Sequence, residues 1–230
     1  MDRLRKSTSL LKCLPKGLTS RLVEGSVRGE ARADSVLFSA GEPGDGLYVV
    51  ETGLLKVVME SPGGEERIVG LLGPGEIAGE LAMIDGLPRS ASVVVLQDCS
   101  YRFVSQANFQ KFTAAHPEFY RELATVLSMR LREADHALVA ATFLSGRGRL
   151  AGALLDLAEH FGQPSGSGGV MFKRKIGNGE LAAMAGMARE NVSRVLGEWR
   201  DRKLVSRSGH HHCIHDIAAL EREMALAAYK

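Results

Sequence analysis

The sequence predicts an α+β protein, in which an N-terminal antiparallel barrel precedes a long helix and a smaller C-terminal domain. Short β-branched runs recur every ~8–12 residues between residues 30 and 105 and are separated by Gly- and Pro-rich turns. A helical pattern of apolar residues then extends from about 118 to 143. Near the C-terminus, two shorter helical patterns flank a glycine turn.

Composition and charge restrict the kind of protein. The chain has 230 residues, a formal net charge of +2 and 45% hydrophobic residues, so nucleic-acid binding would have to come from local clustering of charge. An apolar run of ~18 residues, the length of a membrane span, is absent, and the apolar patch Leu10-Leu11 is too short for a signal peptide. The three cysteines lie far apart, which favours reduced thiols and a cytoplasmic protein.

The barrel is predicted from its strands and turns. Residues 1–24 indicate one or two short helices, broken near Pro15. The predicted strands cover residues 35–38, 47–50, 54–58, 67–71, 91–95 and 100–104. The cluster Glu51-Thr52-Gly53 is interpreted as one of the turns between them.

The segment from residue 77 to 91, IAGELAMIDGLPRSA, carries the chemistry of an anion site. Arg89 lies beside the hydroxyl of Ser90 and a run of small residues whose backbone N–H groups can point inward. This combination predicts a phosphate cradle. Glu80 is the carboxylate of the same segment, and an internal Arg89–Glu80 ion pair without any ligand is the alternative.

The long helix has a single apolar seam, which favours a parallel helix pair across a dimer axis. The alternative is a monomeric helix lying on the barrel. After it, Ser145-Gly146-Arg147-Gly148-Arg149 is interpreted as a hinge. The predicted domains are therefore 1–116, 117–145 and 146–230.

The C-terminal domain shows a helix, a turn and a second helix. Asn178 is predicted to cap the first helix, and Gly186 supplies the turn. The second helix is expected from about 188 to 201, with its buried face formed by Val192, Val195, Leu196 and Trp199. Residues 204–215 then indicate a β-hairpin, or wing.

Together these motifs resemble the Crp/Fnr transcription regulators over about residues 20 to 215. The barrel signature of that family is similar to Gly41-Glu42-Pro43-Gly44-Asp45 followed by Leu47-Tyr48-Val49-Val50 and Gly53. Its phosphate-binding cassette is similar to Gly79-Glu80-Leu81-Ala82 with Pro88-Arg89-Ser90-Ala91, and its recognition helix to Arg189-Glu190-Asn191-Val192-Ser193-Arg194. The resemblance implies a double-stranded β-helix (jelly-roll) cyclic-nucleotide-binding barrel, a long dimerisation helix and a winged helix-turn-helix, and a regulator rather than an enzyme.

The resemblance also implies roles for the cassette residues. Arg89 pairs with the cyclic phosphate, Ser90 donates its hydroxyl, and backbone N–H groups near Ser90 and Ala91 complete the cradle. Glu80 accepts from the ribose 2′-OH, and Gly79 permits close approach. The ligand-binding set implied is Gly79, Glu80, Leu81, Ala82, Arg89, Ser90, Ala91, Ala134 and Asp135.

The purine is read in this family from the long helix, at positions that correspond to Ala134 and Asp135. Ala134 has no side-chain hydrogen bond to offer. Asp135 can accept from the amine of adenine or from N1–H and N2–H of guanine, or it lies on a solvated helix face. Cyclic AMP is the first choice of ligand and cyclic GMP the second. The alternative is a DNA-binding regulator of this fold that responds to a different signal or is independent of any ligand.

Arg189 and Arg194 can each bind guanine O6 and N7, Glu190 can accept from cytosine N4, and Ser193 suits a base edge or a phosphate. Residues 189–207 hold six basic and three acidic side chains, a local charge of +3. Residues expected to contact the DNA backbone are Asn178, Gly179, Arg200, Lys203, Ser208 and His210. The partners implied are palindromic double-stranded DNA, a second copy of the chain as a homodimer, and RNA polymerase.

The histidine run His210-His211-His212-Cys213-x-His215 raises the question of a metal site. Consecutive residues of a hairpin strand point to opposite faces, so few of these side chains can converge on one ion. We therefore expect no metal, and we interpret the run as a wing close to DNA phosphates.

Overall fold

The computed structural model describes residues 16–165, 169–208 and 211–226. They form two compact units, 16–133 and 134–226. The predicted boundaries at 116 and 145 stay predictions. Among the helices of the described residues, none is both long and apolar enough to cross a membrane.

The first unit contains a six-stranded antiparallel sheet with helices at both ends of its sequence. Its elements are α1 (Lys16–Leu22), β1 (Val27–Ala31), β2 (Val36–Phe38), β3 (Gly46–Glu60), β4 (Glu66–Leu72), β5 (Ile77–Ala78), α2 (Glu80–Asp85), β6 (Ser92–Ser105), α3 (Gln106–Ala115) and the first part of α4 (Phe119–Phe143). The strand order is β1-β6-β3-β4, with β2 on β6 and β5 on β3. The predicted N-terminal helices before residue 16 lie outside the described residues.

Two pairs of predicted strands are each part of one long strand. The predicted strands at 91–95 and 100–104 both fall in β6, which begins at Ser92. Residues 47–50 and 54–58 both lie in β3, and the predicted turn at Gly53 is an irregularity within it, with register shifts on either side of Thr52. Gly53 has φ 85°, and a Cβ there would lie 2.3 Å from the carbonyl oxygen of Asp98 on β6. The sheet therefore bends at this bulge without ending the strand.

Successive residues of β3 supply two different cores, because side chains alternate across a strand. Leu47 and Val49 pack with Phe109, Phe119 and Leu123 of the helices. Tyr48 and Val50 face the other way, toward a cluster that includes Phe38, Leu55, Ala78, Val93 and Cys99.

The long helix α4 begins and ends within a residue of its predicted limits. Its first turns bury Phe119, Leu123 and Val126. Farther along, Leu131, Leu138, Val139 and Phe143 are each more than half exposed.

The second unit continues α4 with α5 (Gly146–Phe161), β7 (Gly162–Pro164), β8 (Val170–Lys175), α6 (Asn178–Ala185), α7 (Arg189–Asp201), β9 (Val205–Ser208), β10 (His211–Ile214) and α8 (Ile217–Leu226). Its four strands pair in the order β7-β8-β10-β9. Gly146 and Gly148 lie in the first turn of α5, and the break between α4 and α5 falls at residues 144 and 145; the hinge at 145–149 stays a prediction. The Ser145 hydroxyl caps that helix by accepting from the Gly148 N–H at 3.3 Å.

The helix pair α6 and α7 has the predicted buried face, formed by Val192, Val195, Leu196 and Trp199. Asn178 does not cap α6. Gly177 is the N-cap, and its N–H donates to the Glu180 carboxylate at 2.7 Å. Gly186 is left-handed at φ 57° and ends α6, which turns the chain toward α7.

Candidate ligand-binding and DNA-binding sites

The predicted cradle residues surround one cavity of about 110 Å³ in the first unit. Its lining includes seven of the eight residues of the two cassette segments, all except Pro88: Gly79, Glu80, Leu81, Ala82, Arg89, Ser90 and Ala91. Phe38 and Arg130 complete its polar and aromatic wall.

Arg89 is one of the lining residues and is 4% exposed. Its Nη1 donates to the Gly79 carbonyl at 2.8 Å, and its Nη2 donates to the Gly46 carbonyl at 2.7 Å and to Asp45 Oδ1 at 2.8 Å. The guanidinium carbon lies 4.3 Å from the centre of the Phe38 ring, a cation–π arrangement. The buried Nε has no hydrogen-bond partner among the described residues.

Both the backbone conformation and the nearby Arg89 side chain require a glycine at position 79. Its φ of 86° is left-handed, and it directly precedes α2. A Cβ at this position would lie 2.2 Å from Nη1 of Arg89. The absence of a side chain therefore lets the arginine bond to the backbone here.

Glu80 is 3% exposed and accepts a hydrogen bond from Nη1 of Arg130, while Nη2 of Arg130 donates to the Ile77 carbonyl at 2.6 Å. The Arg89–Glu80 ion pair considered as an alternative does not form. Each arginine instead has its own carboxylate, Arg89 with Asp45 and Arg130 with Glu80.

Ala134 and Asp135 are exposed and belong to the second unit. They do not line the cavity among the described residues. Their role toward a purine stays a prediction.

The predicted DNA-reading side chains form the exposed face of α7. Arg189, Glu190, Ser193 and Arg194 are all exposed, opposite the buried face. The Ser193 hydroxyl donates to the Arg189 carbonyl at 3.1 Å and accepts from Asn178 Nδ2 at 2.7 Å. Asn178 is therefore partly engaged in holding α6 to α7.

Arg194 is held by Glu198 one turn later, with 2.8 Å between Nη1 and Oε1. Glu198 is also bound by Arg147 of α5, and the hydrogen bond from Arg147 lowers the pKa of the Glu198 carboxyl, with a further contribution from Arg194. Arg194 thus lies extended along the helix surface.

The predicted backbone-contact residues surround this face. Gly179, Arg200 and Lys203 are exposed, and Ser208 is the last residue of β9. His210 lies outside the described residues. The DNA-binding role of every residue in the predicted set stays a prediction.

The histidines of the wing lie within hydrogen-bond distance of three different partners. His211 Nδ1 lies 3.0 Å from the Phe172 carbonyl, His212 Nε2 lies 3.1 Å from the Ile176 carbonyl, and His215 Nε2 lies 2.8 Å from the Ser206 hydroxyl. Burial lowers the pKa of His212. In the part of the chain that the structure describes, no three His, Cys, Asp or Glu side chains are placed to hold a metal ion.

Comparison with known proteins assigns both units. The cyclic nucleotide-binding domain matches residues 28–116, and the Crp-like helix-turn-helix domain matches residues 148–223. The CRP-like cAMP-activated global transcriptional regulator of Mycobacterium tuberculosis is 31% identical over 186 residues, which cover 81% of this chain and 83% of that protein. The chain belongs to the Crp/Fnr family of transcription regulators.

Other Crp/Fnr proteins support the assignment. The cyclic AMP receptor protein of Thermus thermophilus is 38% identical over 160 residues, 70% of each chain. The structure of the global regulator CLP of Xanthomonas campestris superposes with a TM-score of 0.77 at 23% identity, covering 88% of this chain and all of that one, which supports the fold. As predicted, this Crp/Fnr protein is a DNA-binding transcription regulator with a cyclic nucleotide-binding domain, and not an enzyme.

Asp45 and Arg130 are two members of this Crp/Fnr site that are absent from the predicted set. Asp45 ends the Gly41-Glu42-Pro43-Gly44-Asp45 motif, which resembles the barrel signature of the family and does not by itself indicate a ligand contact. Arg130 follows Leu123 and Val126 at helical spacing. Arg130 therefore continues the buried face of α4. A charged side chain at such a position indicates a buried partner of opposite charge.

Proposed function

We propose that this protein is a homodimeric transcription regulator that binds palindromic DNA and is gated by a cyclic nucleotide bound in the Arg89 cavity. The observation that carries the proposal is the state of Arg89. A guanidinium that is 4% exposed retains an Nε–H without a partner among the described residues and lines a cavity. A buried donor without a partner is costly, and an oxyanion is the acceptor that a guanidinium binds most strongly.

The cavity residues fit the parts of a cyclic nucleotide. A cyclic phosphate would accept from the Arg89 Nε–H and from the Ser90 hydroxyl. Glu80, oriented by Arg130, keeps acceptor capacity for a ribose hydroxyl. Gly79 presents no Cβ toward the cradle, so the ligand can approach the backbone closely.

Ligand binding requires the cavity to widen. Its volume of about 110 Å³ is below the ~300 Å³ at which ligand pockets commonly begin. The contact that can be given up at least cost is Arg89–Asp45, because the Asp45 side chain is 70% exposed and is readily rehydrated. We therefore expect Asp45 to yield its place on Arg89 to the phosphate.

Cyclic AMP is the ligand of first choice and cyclic GMP the second. The relatives from Mycobacterium tuberculosis and Thermus thermophilus are named for cyclic AMP, which supports this order. Asp135 remains the proposed contact to the purine amine.

The homodimer is supported by the exposed part of α4. Leu131 and Leu138 are seven residues apart and are exposed, and Ala134 and Ala141 repeat the same interval. Apolar residues at this spacing form the seam of a parallel helix pair. In such a dimer the two α7 helices would read half-sites ~34–36 Å apart. RNA polymerase remains a predicted further partner.

Titration calorimetry tests the ligand. Cyclic AMP, and then cyclic GMP, are titrated into the full chain, its Arg89→Leu variant and its Arg102→Leu variant. Arg102 pairs with Glu51 outside the cavity. Its replacement is therefore a control that also removes one arginine. We expect saturable binding that is lost in Arg89→Leu and kept in Arg102→Leu. Absence of binding by the unmodified chain, or equal binding by Arg89→Leu, would contradict the proposal and favour a regulator that answers another signal or none.

A further inference from the structure

A second cavity lies next to the nucleotide cavity, in the same unit. Its volume is about 310 Å³, and it is lined by Val27, Gly29, Asp45, Tyr48, Tyr101 and Phe103. The strand register explains how these residues meet. Phe103 of β6 pairs with both Val27 of β1 and Tyr48 of β3, and Tyr101 pairs with Gly29.

Aromatic rings form the walls of this second cavity. The Tyr48 ring lies 5.2 Å from the Tyr101 ring and 5.1 Å from the Phe103 ring, measured between centroids. Gly29 makes the room for Tyr101, because a Cβ at Gly29 would lie 2.5 Å from that ring. A cross-strand glycine under an aromatic ring therefore sets the shape of the cavity.

Asp45 supplies a carboxylate at the rim. Only Oδ1 of Asp45 bonds to Arg89, and the side chain is 70% exposed. The phenol of Tyr48 stays uncharged, since burial and, next, the charge of Asp45 raise its pKa. The cavity thus combines the faces of neutral rings with one accessible negative charge.

Aromatic faces and a carboxylate together favour a cation. The chain already uses this chemistry one ring away, where Arg89 lies 4.3 Å over Phe38 and bonds to Asp45. Phe38 in turn lies 5.6 Å from Tyr48, between centroids. We propose that the cavity of Val27, Gly29, Asp45, Tyr48, Tyr101 and Phe103 is a second ligand site, which binds an organic cation of the alkylammonium or guanidinium class.

The second site is coupled to the first through Asp45. A cation beside Asp45 weakens the hold of Asp45 on Arg89 and offsets the repulsion between that carboxylate and an incoming phosphate. Each effect favours anion binding at Arg89, so the two ligands bind with positive cooperativity. This coupling, unlike the cation site itself, rests on the proposed cyclic-nucleotide function.

The cation site is tested without nucleotide. Tetramethylammonium is titrated into the full chain at constant ionic strength, and the methyl resonances of Val27 and the ring resonances of Tyr48 and Tyr101 are followed by NMR. Neutral tert-butanol, of similar shape, is the comparison. We expect saturable shifts with tetramethylammonium and binding of tert-butanol that is weaker by about ten-fold. Equal binding of the two, or no shift with either, would overturn the site.

Three variants locate the binding. Tyr101→Leu removes one ring and is expected to weaken tetramethylammonium binding roughly three-fold. Gly29→Ala places a methyl group against Tyr101 and is expected to weaken it as well. Gly63→Ala is the control, because its Cβ would meet only Ser61 Oγ at 3.6 Å. If tetramethylammonium binds all three as tightly as it binds the unmodified chain, the cation does not occupy this cavity.

The coupling is tested by repeating the cyclic AMP titration in the presence of tetramethylammonium, where we expect about a three-fold gain in affinity. A cation that binds but leaves cyclic AMP affinity unchanged would refute the coupling. A chain that binds the cation but no cyclic nucleotide would refute the proposed function and leave the cation site standing. The reverse result would refute the cation site alone.

Discussion

Arg89 and Asp45 form an ion pair in which the two partners are buried very differently. The distance between Nη2 and Oδ1 is 2.8 Å, with the guanidinium side chain 1% exposed and the carboxylate side chain 70% exposed. The desolvation cost of the pair therefore falls on Arg89, whereas Asp45 can return to water at little cost. An anion entering the cavity can take the place of Asp45 while the arginine stays where it is.

Replacing Asp45 by Asn should raise the affinity for cyclic AMP. The substitution removes the carboxylate that competes with the phosphate, and leaves Arg89 bonded to two backbone carbonyls. We expect a gain of roughly three- to ten-fold in calorimetric titrations, together with a loss of about 1–3 kcal/mol in the stability of the ligand-free protein, because a buried charge loses its partner. Glu66→Gln is the control, since Glu66 pairs with Lys56, at 3.9 Å, and not with Arg89. Weaker binding by Asp45→Asn would show that Asp45 helps to hold the ligand.

The pair Gly79→Ala and Gly64→Ala separates backbone strain from the contact with Arg89. Both glycines are left-handed, at φ 86° and 80°, but a Cβ at Gly64 has nothing within 4 Å, whereas one at Gly79 lies 2.2 Å from Arg89 Nη1. Gly64→Ala should cost about 1 kcal/mol of unfolding free energy. Gly79→Ala should cost more and should weaken cyclic AMP binding at least about ten-fold. Urea unfolding and calorimetry measure the two effects, and equal behaviour of the variants would refute the role given to Gly79.

Arg130→Leu should destabilise the first unit by roughly 3 kcal/mol. It leaves the Glu80 side chain, which is 4% exposed, without its cation. Arg102→Leu breaks a more exposed pair, 36% and 30% for Arg102 and Glu51, so its cost should stay below about 1 kcal/mol. Urea unfolding followed by far-ultraviolet circular dichroism gives both values. Similar losses of unfolding free energy in the two variants would mean that the Glu80–Arg130 pair stabilises the protein no more than an exposed pair does.

The second unit should lose stability as the pH falls below about 6.5. Burial lowers the pKa of folded His212 below the ordinary histidine value of about 6.5, while the Ile176 carbonyl opposes the shift and Arg207 and Arg200 reinforce it. The unfolded chain therefore binds a proton more readily than the folded one. The contribution of neutral His212 is fully present above about pH 6.5, decreases below it, and levels off below the folded pKa.

Trp199 reports this transition, because it is the one tryptophan of the chain and is fully buried in α7. Its fluorescence during urea unfolding at several pH values gives the stability of the second unit. The pH-dependent loss should disappear in His212→Gln and persist in His211→Gln. Persistence of the full loss in His212→Gln would assign it to another group.

Local patterns in the sequence were enough to predict the elements that each depend on one segment. The helix α4, the buried face of α7 and the grouping of Gly79 with Arg89 each follow from periodicity or from short spacing. The strand break expected at Gly53 was wrong, because a glycine that ends a strand and one that forms a bulge look alike until the partner strand is known. Asn178 and Gly177 are both good helix caps, and only the bond from Gly177 to Glu180 distinguishes them.

The part of the candidate ligand site that the sequence did not predict comes from distant parts of the chain. Asp45 precedes Arg89 by 44 residues and Arg130 follows Glu80 by 50. Charge complementarity shows that a buried Arg89 needs an anion but does not say which one. The choice of Asp45 for Arg89, and of Glu80 for Arg130, depends on the path of β3 and α4 through the folded unit.

The most direct test of the account is the DNA affinity of the full chain with and without cyclic AMP. The probe is a labelled palindromic duplex selected from a random-sequence library in the presence of the ligand, and binding is followed by fluorescence anisotropy at fixed salt. We predict that cyclic AMP raises the affinity at least about ten-fold, a typical coupling between two sites, and that Arg89→Leu removes this gain. Equal affinity with and without cyclic AMP and cyclic GMP, on DNA that the protein binds specifically, would contradict gating by a cyclic nucleotide.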